Sequence, residues 1–154
     1  MSDISKSARL VDILLVEDNP GDIRLVQKAF EKAKLKNRLH VFQEGREALD
    51  YLYKRGDHAD AGPIDLILLD LKLKDCDGLE VLEVIKEDPD LKRIPVVVLT
   101  SSSAEEDIVS SYDLHANAYL TKPVDFNGLL TIVRELDDFW LSLVKFAPHP
   151  NKPK

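Results

Sequence analysis

The chain has 154 residues, of which 44% are hydrophobic and 32% charged. That length suits one domain, since domains run roughly 100–200 residues, and that composition excludes a disordered chain. Acidic residues outnumber basic ones 28 to 21, and a net charge of −7 repels phosphate backbones, which argues against direct nucleic-acid binding. The single cysteine, Cys76, permits no internal disulfide and suits a reducing, cytoplasmic setting. The longest apolar runs have four residues. A membrane helix needs about 20 and a signal peptide core about 7–15, so neither is expected, nor is a membrane partner.

Residues 1–10 carry no periodic pattern and read as a flexible leader. Ile13–Val16 is the first of three apolar tetrads, each bounded by polar residues or Pro. Such runs read as strands buried on both faces of a parallel sheet. Ile23, Val26, Phe30 and Ala33 then recur at helical spacing. Arg38–Phe42 is a weaker strand candidate, followed by Ala48, Leu49 and Leu52 with helical period. Gly56–Pro63 is a polar loop of more than average length. The second tetrad, Leu66–Leu69, leads to a helix carrying Leu79, Leu82 and Ile85, with Asp77 placed to cap it. After the third tetrad, Val96–Leu99, Ser103 and Glu106 have capping-box spacing ahead of Ile108, Val109 and Tyr112. Ala118–Leu120 is the last strand candidate, and Asp125 stands just before the last helix. Residues 147–154, rich in Pro, read as a disordered tail, leaving 11–146 as the domain.

Strand followed by helix, five times over, predicts an α/β fold with helices on both faces of a parallel sheet. Right-handed crossovers leave few topologies, and for five units the leading one is the flavodoxin-like, doubly wound order 2-1-3-4-5. Ligands of such sheets sit at the carboxyl ends of the strands. That edge receives Glu17, Asp18 and Asn19 after the first tetrad, Asp70 after the second, Thr100 and two serines after the third, and Lys122 beyond Leu120. Singly, each is an ordinary cap or turn residue. Together they converge on one edge in the order the fold requires.

Clustered carboxylates repel one another, and a hard divalent cation relieves that cost. Mg²⁺ takes oxygen ligands and usually binds through one or two carboxylates plus a phosphate. Asp18 and Asp70 are the natural direct ligands, with Glu17 acting through water and the Lys72 backbone carbonyl completing the protein share. If Asp70 attacks a phosphoryl group, the cation, Lys122 and the Thr100 hydroxyl are placed to hold its oxygens.

The stretches ILLVEDNPGD (13–22), LILLDLKLKDCDG (66–78), PVVVLTSSS (95–103) and AYLTKPV (118–124) resemble the receiver domain of two-component response regulators. The resemblance spans residues 12–139. It implies that Asp70 accepts phosphate from a histidine kinase, with Glu17 and Asp18 as the metal-holding acidic pair. It further implies that Thr100 is the hydroxyl that turns toward the phosphate, Lys122 the phosphoryl-pairing Lys and Tyr119 the aromatic switch. Lys122–Pro123 resembles the family's cis bond, for which Pro is the chemically cheap residue. Two departures stand out. Lys74 occupies a position where Pro is common, which predicts a less constrained loop, and Glu17 replaces the commoner Asp.

Only the tail follows residue 146, so the expected output is a contact surface and not a DNA-binding or enzymatic domain. In the last helix Leu129, Ile132, Leu136, Phe139, Leu143 and Phe146 repeat at a coiled-coil spacing. Beside them run Phe126, Leu130, Val133, Trp140 and Val144. The two sets cover an arc of roughly 200°, about twice what one core contact needs. This predicts a homodimer through Ile132, Phe139, Trp140, Leu143 and Phe146. The ending DDFWLSLVKF, HANAYLTKPVD and the loop before Pro63 also resemble the single-domain regulators that work with phytochrome-type kinases, whose members dimerise through this region. Two other readings compete. A Mg²⁺-dependent phosphatase using Asp70 as nucleophile needs a second carboxylate two residues on, where Lys72 stands. A pseudo-receiver without chemistry would be expected to lose the acidic pair, the Asp or the Lys, and all are kept. The chain is thus expected to be no enzyme beyond its own Mg²⁺-dependent phosphorylation and dephosphorylation.

Overall fold

The structure is a computed structural model that describes residues 10–32, 36–100, 109, 118–122, 127–131 and 134–135. Residues 1–9 of the expected leader, the expected tail, the capping box at Ser103, Pro123 and the interface positions Ile132, Phe139, Trp140, Leu143 and Phe146 lie outside these residues.

Strands β1 (Val11–Val16), β2 (Asn37–Phe42), β3 (Leu66–Asp70), β4 (Val96–Thr100) and β5 (Ala118–Thr121) form one sheet in the order 2-1-3-4-5. Every pairing is parallel. Helices α1 (Pro20–Glu31), α2 (Gly45–Leu52) and α3 (Gly78–Glu87) connect β1 through β4, with short 3₁₀ turns at Gly56–His58 and Leu91–Arg93. The doubly wound order expected from the sequence is the order observed.

The three tetrads are central strands, and the two-sided cover explains why they do not alternate. Ile13, Leu15, Leu68 and Leu99 pack with Ile23, Val26 and Phe30 of α1. Leu14, Val16, Leu69 and Val98 pack on the other face with Ala48 of α2 and Val81, Leu82 and Ile85 of α3. Each such side chain contributes roughly 1.5–3 kcal/mol when fully buried. Strand β2 lies at the sheet edge and is mostly half-buried, so its pattern is weaker.

The helix starts differ in how they are capped. Pro20 opens α1, where a missing N–H costs nothing, and the Asn19 side chain accepts from the Asp22 N–H at 3.0 Å. Asp77 caps α3 by accepting from the Leu79 N–H at 3.0 Å, as expected. Helix α2 receives no cap from Glu44. Instead the Asp75 carboxylate, from the loop after β3, accepts from the Gly45 and Arg46 N–H groups at 2.9 and 3.0 Å. Gly78 lets α3 begin hard against β3, since a Cβ there would collide with the Asp70 carbonyl oxygen and the Leu71 backbone.

Candidate functional site

The carboxyl ends of β1, β3, β4 and β5 converge as the sheet order requires. The pairings Val16↔Leu69, Asp70↔Leu99 and Thr100↔Thr121 bring Glu17, Asp70, Thr100 and Lys122 to one edge. Glu17 and Thr100 are fully buried and Asp70 nearly so. One oxygen from each of Glu17, Asp18 and Asp70 lies within 4.8 Å of the others. Lys122 closes the cluster: its Nζ stands 3.1 Å from Glu17 Oε2, 3.1 Å from Asp70 Oδ2 and 3.1 Å from Asp22 Oδ2.

Backbone donors orient the acids. The Asn19 N–H donates to Glu17 Oε2 at 3.1 Å, the Lys72 N–H to Asp70 Oδ1 at 3.0 Å, and the Lys74 N–H to Asp18 Oδ2 at 3.0 Å. The backbone of Lys72 thus lies against Asp70. Lys74, expected to loosen the loop, ties it to Asp18 through an N–H that Pro would lack.

The electrostatics follow from burial and charge. Burial pushes the Glu17 carboxyl up to about 7; the Asp70 charge adds to this, while the Asn19 N–H and Lys122 oppose it. Burial works against the Lys122 charge, but Glu17, Asp22 and Asp70 outweigh it and hold the ammonium above the ordinary lysine range. Two buried oxygens, Glu17 Oε1 and Thr100 Oγ1, have no hydrogen-bond partner among the described residues. Buried acceptors left this way are costly. An all-oxygen set of three carboxylates with an orphaned oxygen fits a hard divalent cation.

Of the residues singled out in the sequence, Glu17, Asp18, Asp70, Lys72, Thr100 and Lys122 thus stand at this edge. Tyr119 is half-buried and packs against the cluster formed with α2 and α3. Two participants escaped sequence reading. Asp22 looks like an ordinary acidic residue in the first turn of α1, and Asp75 like an ordinary loop acid. Nothing local shows that the first reaches Lys122 or that the second caps α2.

The comparisons with known proteins agree with this geometry. The response regulator receiver domain matches residues 13–134. Response regulator Rcp1 of Synechocystis sp. is 44% identical over 144 residues, covering 94% of this chain and 97% of Rcp1. The crystal structure of the phosphorylated cyanobacterial phytochrome response regulator RcpA has a TM-score of 0.76 at 48% identity, covering 93% of this chain and 100% of RcpA. The Mn²⁺-bound form of Rcp1 has a TM-score of 0.73 at 45% identity, covering 85% of this chain and 94% of that one. With the topology and the acidic edge already in place, these matches show that the chain belongs to the response regulator receiver family.

Proposed function

We propose that Asp70 is the phosphoacceptor and that a histidine kinase of phytochrome type is the donor. A carboxylate oxygen of Asp70 forms the new O–P bond as the N–P bond of a phosphohistidine breaks, and the imidazole nitrogen keeps that bond's electron pair. Asp18 and Asp70 would hold Mg²⁺ directly, Glu17 would act through water, and the Lys72 carbonyl would complete the protein share. Bound Mg²⁺ supplies charge neutralisation on the transferring oxygens. Lys122 and the Thr100 hydroxyl take the remaining phosphoryl oxygens, and Tyr119 follows Thr100 inward. The chain catalyses nothing beyond this transfer and its own dephosphorylation, in which water bonds to phosphorus as the Asp70 O–P bond breaks, the carboxylate is regenerated and inorganic phosphate leaves.

The observation that carries the reading is the setting of Asp70. It is buried at a strand end, 3.1 Å from the Lys122 ammonium and grouped with two further carboxylates. The similarity to phytochrome response regulator RcpA supports the kinase type, and Mn²⁺-bound Rcp1 supports the metal site. The net charge of −7 supports an output through protein contact and not DNA. The two apolar stripes of the C-terminal sequence support a second copy of this chain as one such contact.

Acetyl phosphate with Mg²⁺ tests the chemistry. Intact-mass measurement should show the gain of one phosphoryl group, and Asp70→Asn should abolish it while retaining the fold. Normal labelling of that variant would sink the assignment. Multiple turnover on a small phosphate ester without lasting label would instead favour a phosphatase.

A further inference from the structure

The loop between β3 and α3 is closed at its base, where Lys72 and Asp77 form an antiparallel bridge and the Gly78 N–H donates to the Leu71 carbonyl at 2.8 Å. Its tip is held on two sides by adjacent residues. The Lys74 N–H reaches Asp18 Oδ2 at 3.0 Å, while the Asp75 carboxylate takes the Gly45 and Arg46 N–H groups of α2 at 2.9 and 3.0 Å. We propose that Asp75 is a positioning residue for the metal site: by seating the loop on the start of α2 it aims the Lys74 N–H at Asp18 and sets how that carboxylate faces a cation.

Three features support this. Residues 74 and 75 are joined by one peptide, so their Cα atoms move together at about 3.8 Å. A carboxylate accepting two orphan helix N–H groups is a strong, directional anchor. Burial works to raise the Asp75 carboxyl, but the Arg46 and Gly45 N–H groups, with its own N–H and the Cys76 thiol, together outweigh it and hold it below the ordinary carboxylate range. Finally, the seat is shaped for close approach. A Cβ on Gly45 would lie 2.6 Å from the Cys76 sulfur and 2.9 Å from Val81 Cγ2, so the loop can dock because residue 45 has no side chain. The consequence is reciprocal: whatever Asp18 binds is felt at the start of α2.

The inference rests on the proposed metal site, and the test separates the two. In the unmodified chain, Mg²⁺ titration followed by NMR should shift the Gly45 and Arg46 amide resonances in step with Lys74. Asp75→Ala should weaken Mg²⁺ binding about tenfold by calorimetry, the low end for partners that orient metal ligands. Asp75→Asn should retain most of the affinity, because its amide oxygen still accepts an N–H. A cap that only stabilised the fold would lower the melting temperature and leave affinity unchanged in the folded protein. The inference is overturned if Lys74 shifts without Gly45 and Arg46, or if folded Asp75→Ala binds Mg²⁺ like the parent. Should Asp75→Ala fail to fold, the parent titration still decides. A parent chain that binds no Mg²⁺ would overturn the metal reading itself, and this inference with it.

Discussion

Asp12 and Lys122 sit near opposite ends of the sheet and show the two ways this chain handles buried charge. Lys122 is a cation among three acids, Glu17, Asp22 and Asp70, and lies within 3.1 Å of each. Asp12 is an acid between two bases: its Oδ1 lies 2.8 Å from Arg38 Nε and 2.9 Å from His40 Nε2. Burial works to raise its carboxyl, but hydrogen bonds from Arg38 and His40 outweigh it, and it lies below its ordinary value of 3.8. A lowered acid favours the folded state above 3.8, and that contribution fades as pH falls through the folded value. Urea unfolding should therefore find Asp12→Asn less stable than the parent near pH 5 by about 1 kcal/mol, a modest figure because Arg38 is largely exposed. The gap should close toward about pH 2. A gap independent of pH would show that the charge of Asp12 is not what stabilises. Legibility at this scale was uneven. Glu17, Asp18, Asp70, Thr100 and Lys122 were readable because each is among the first polar residues after an apolar strand. Asp22 was not, because its partner Lys122 is brought to it only by the docking of β5.

Elements divide in the same manner. Strands β1, β3 and β4 were legible because two-sided burial leaves unbroken apolar tetrads, and α3 because Asp77 caps it locally. The start of α2 was hidden, since its cap comes from Asp75, 30 residues downstream. The C-terminal element carries the proposal of a second copy, argued from spacing alone. Two apolar stripes spanning roughly 200° exceed what one sheet face can cover. Burying Phe and Trp there gains about 25 cal/mol per Å², and a twofold contact is the commonest way for one surface to satisfy itself. The full chain should sediment as a dimer at tens of micromolar, an order-of-magnitude choice set by ordinary interface affinities. Phe139→Glu combined with Phe146→Glu should sediment as a monomer that still takes phosphate from acetyl phosphate. A monomeric parent, with and without phosphoryl transfer, would refute the dimer.

At the scale of the whole molecule, the chain carries a net charge of −7, and the fold gathers four of its carboxylates around one ammonium at a single edge, which makes stability depend on what neutralises them. Glu17, Asp18, Asp22 and Asp70 share that edge with Lys122, and the orphaned Glu17 Oε1 lies buried beside them. A ligand that binds the folded state alone stabilises it by mass action, about 2.7 kcal/mol at a hundred times its Kd. For a chain of about 150 residues each kcal/mol shifts the melting temperature by roughly 2–4 °C. Saturating Mg²⁺ should thus raise the melting temperature by about 5–10 °C. Diffuse screening would also relieve repulsion, and its range shrinks from about 10 Å to 3 Å between 0.1 and 1 M salt. The two causes separate cleanly. NaCl matched in ionic strength should reproduce little of the shift, and Asp18→Ala should melt at nearly the same temperature with and without Mg²⁺. If NaCl reproduces the whole shift, or if Asp18→Ala keeps it, the stabilisation comes from the field of the molecule and not from a metal bound at this edge.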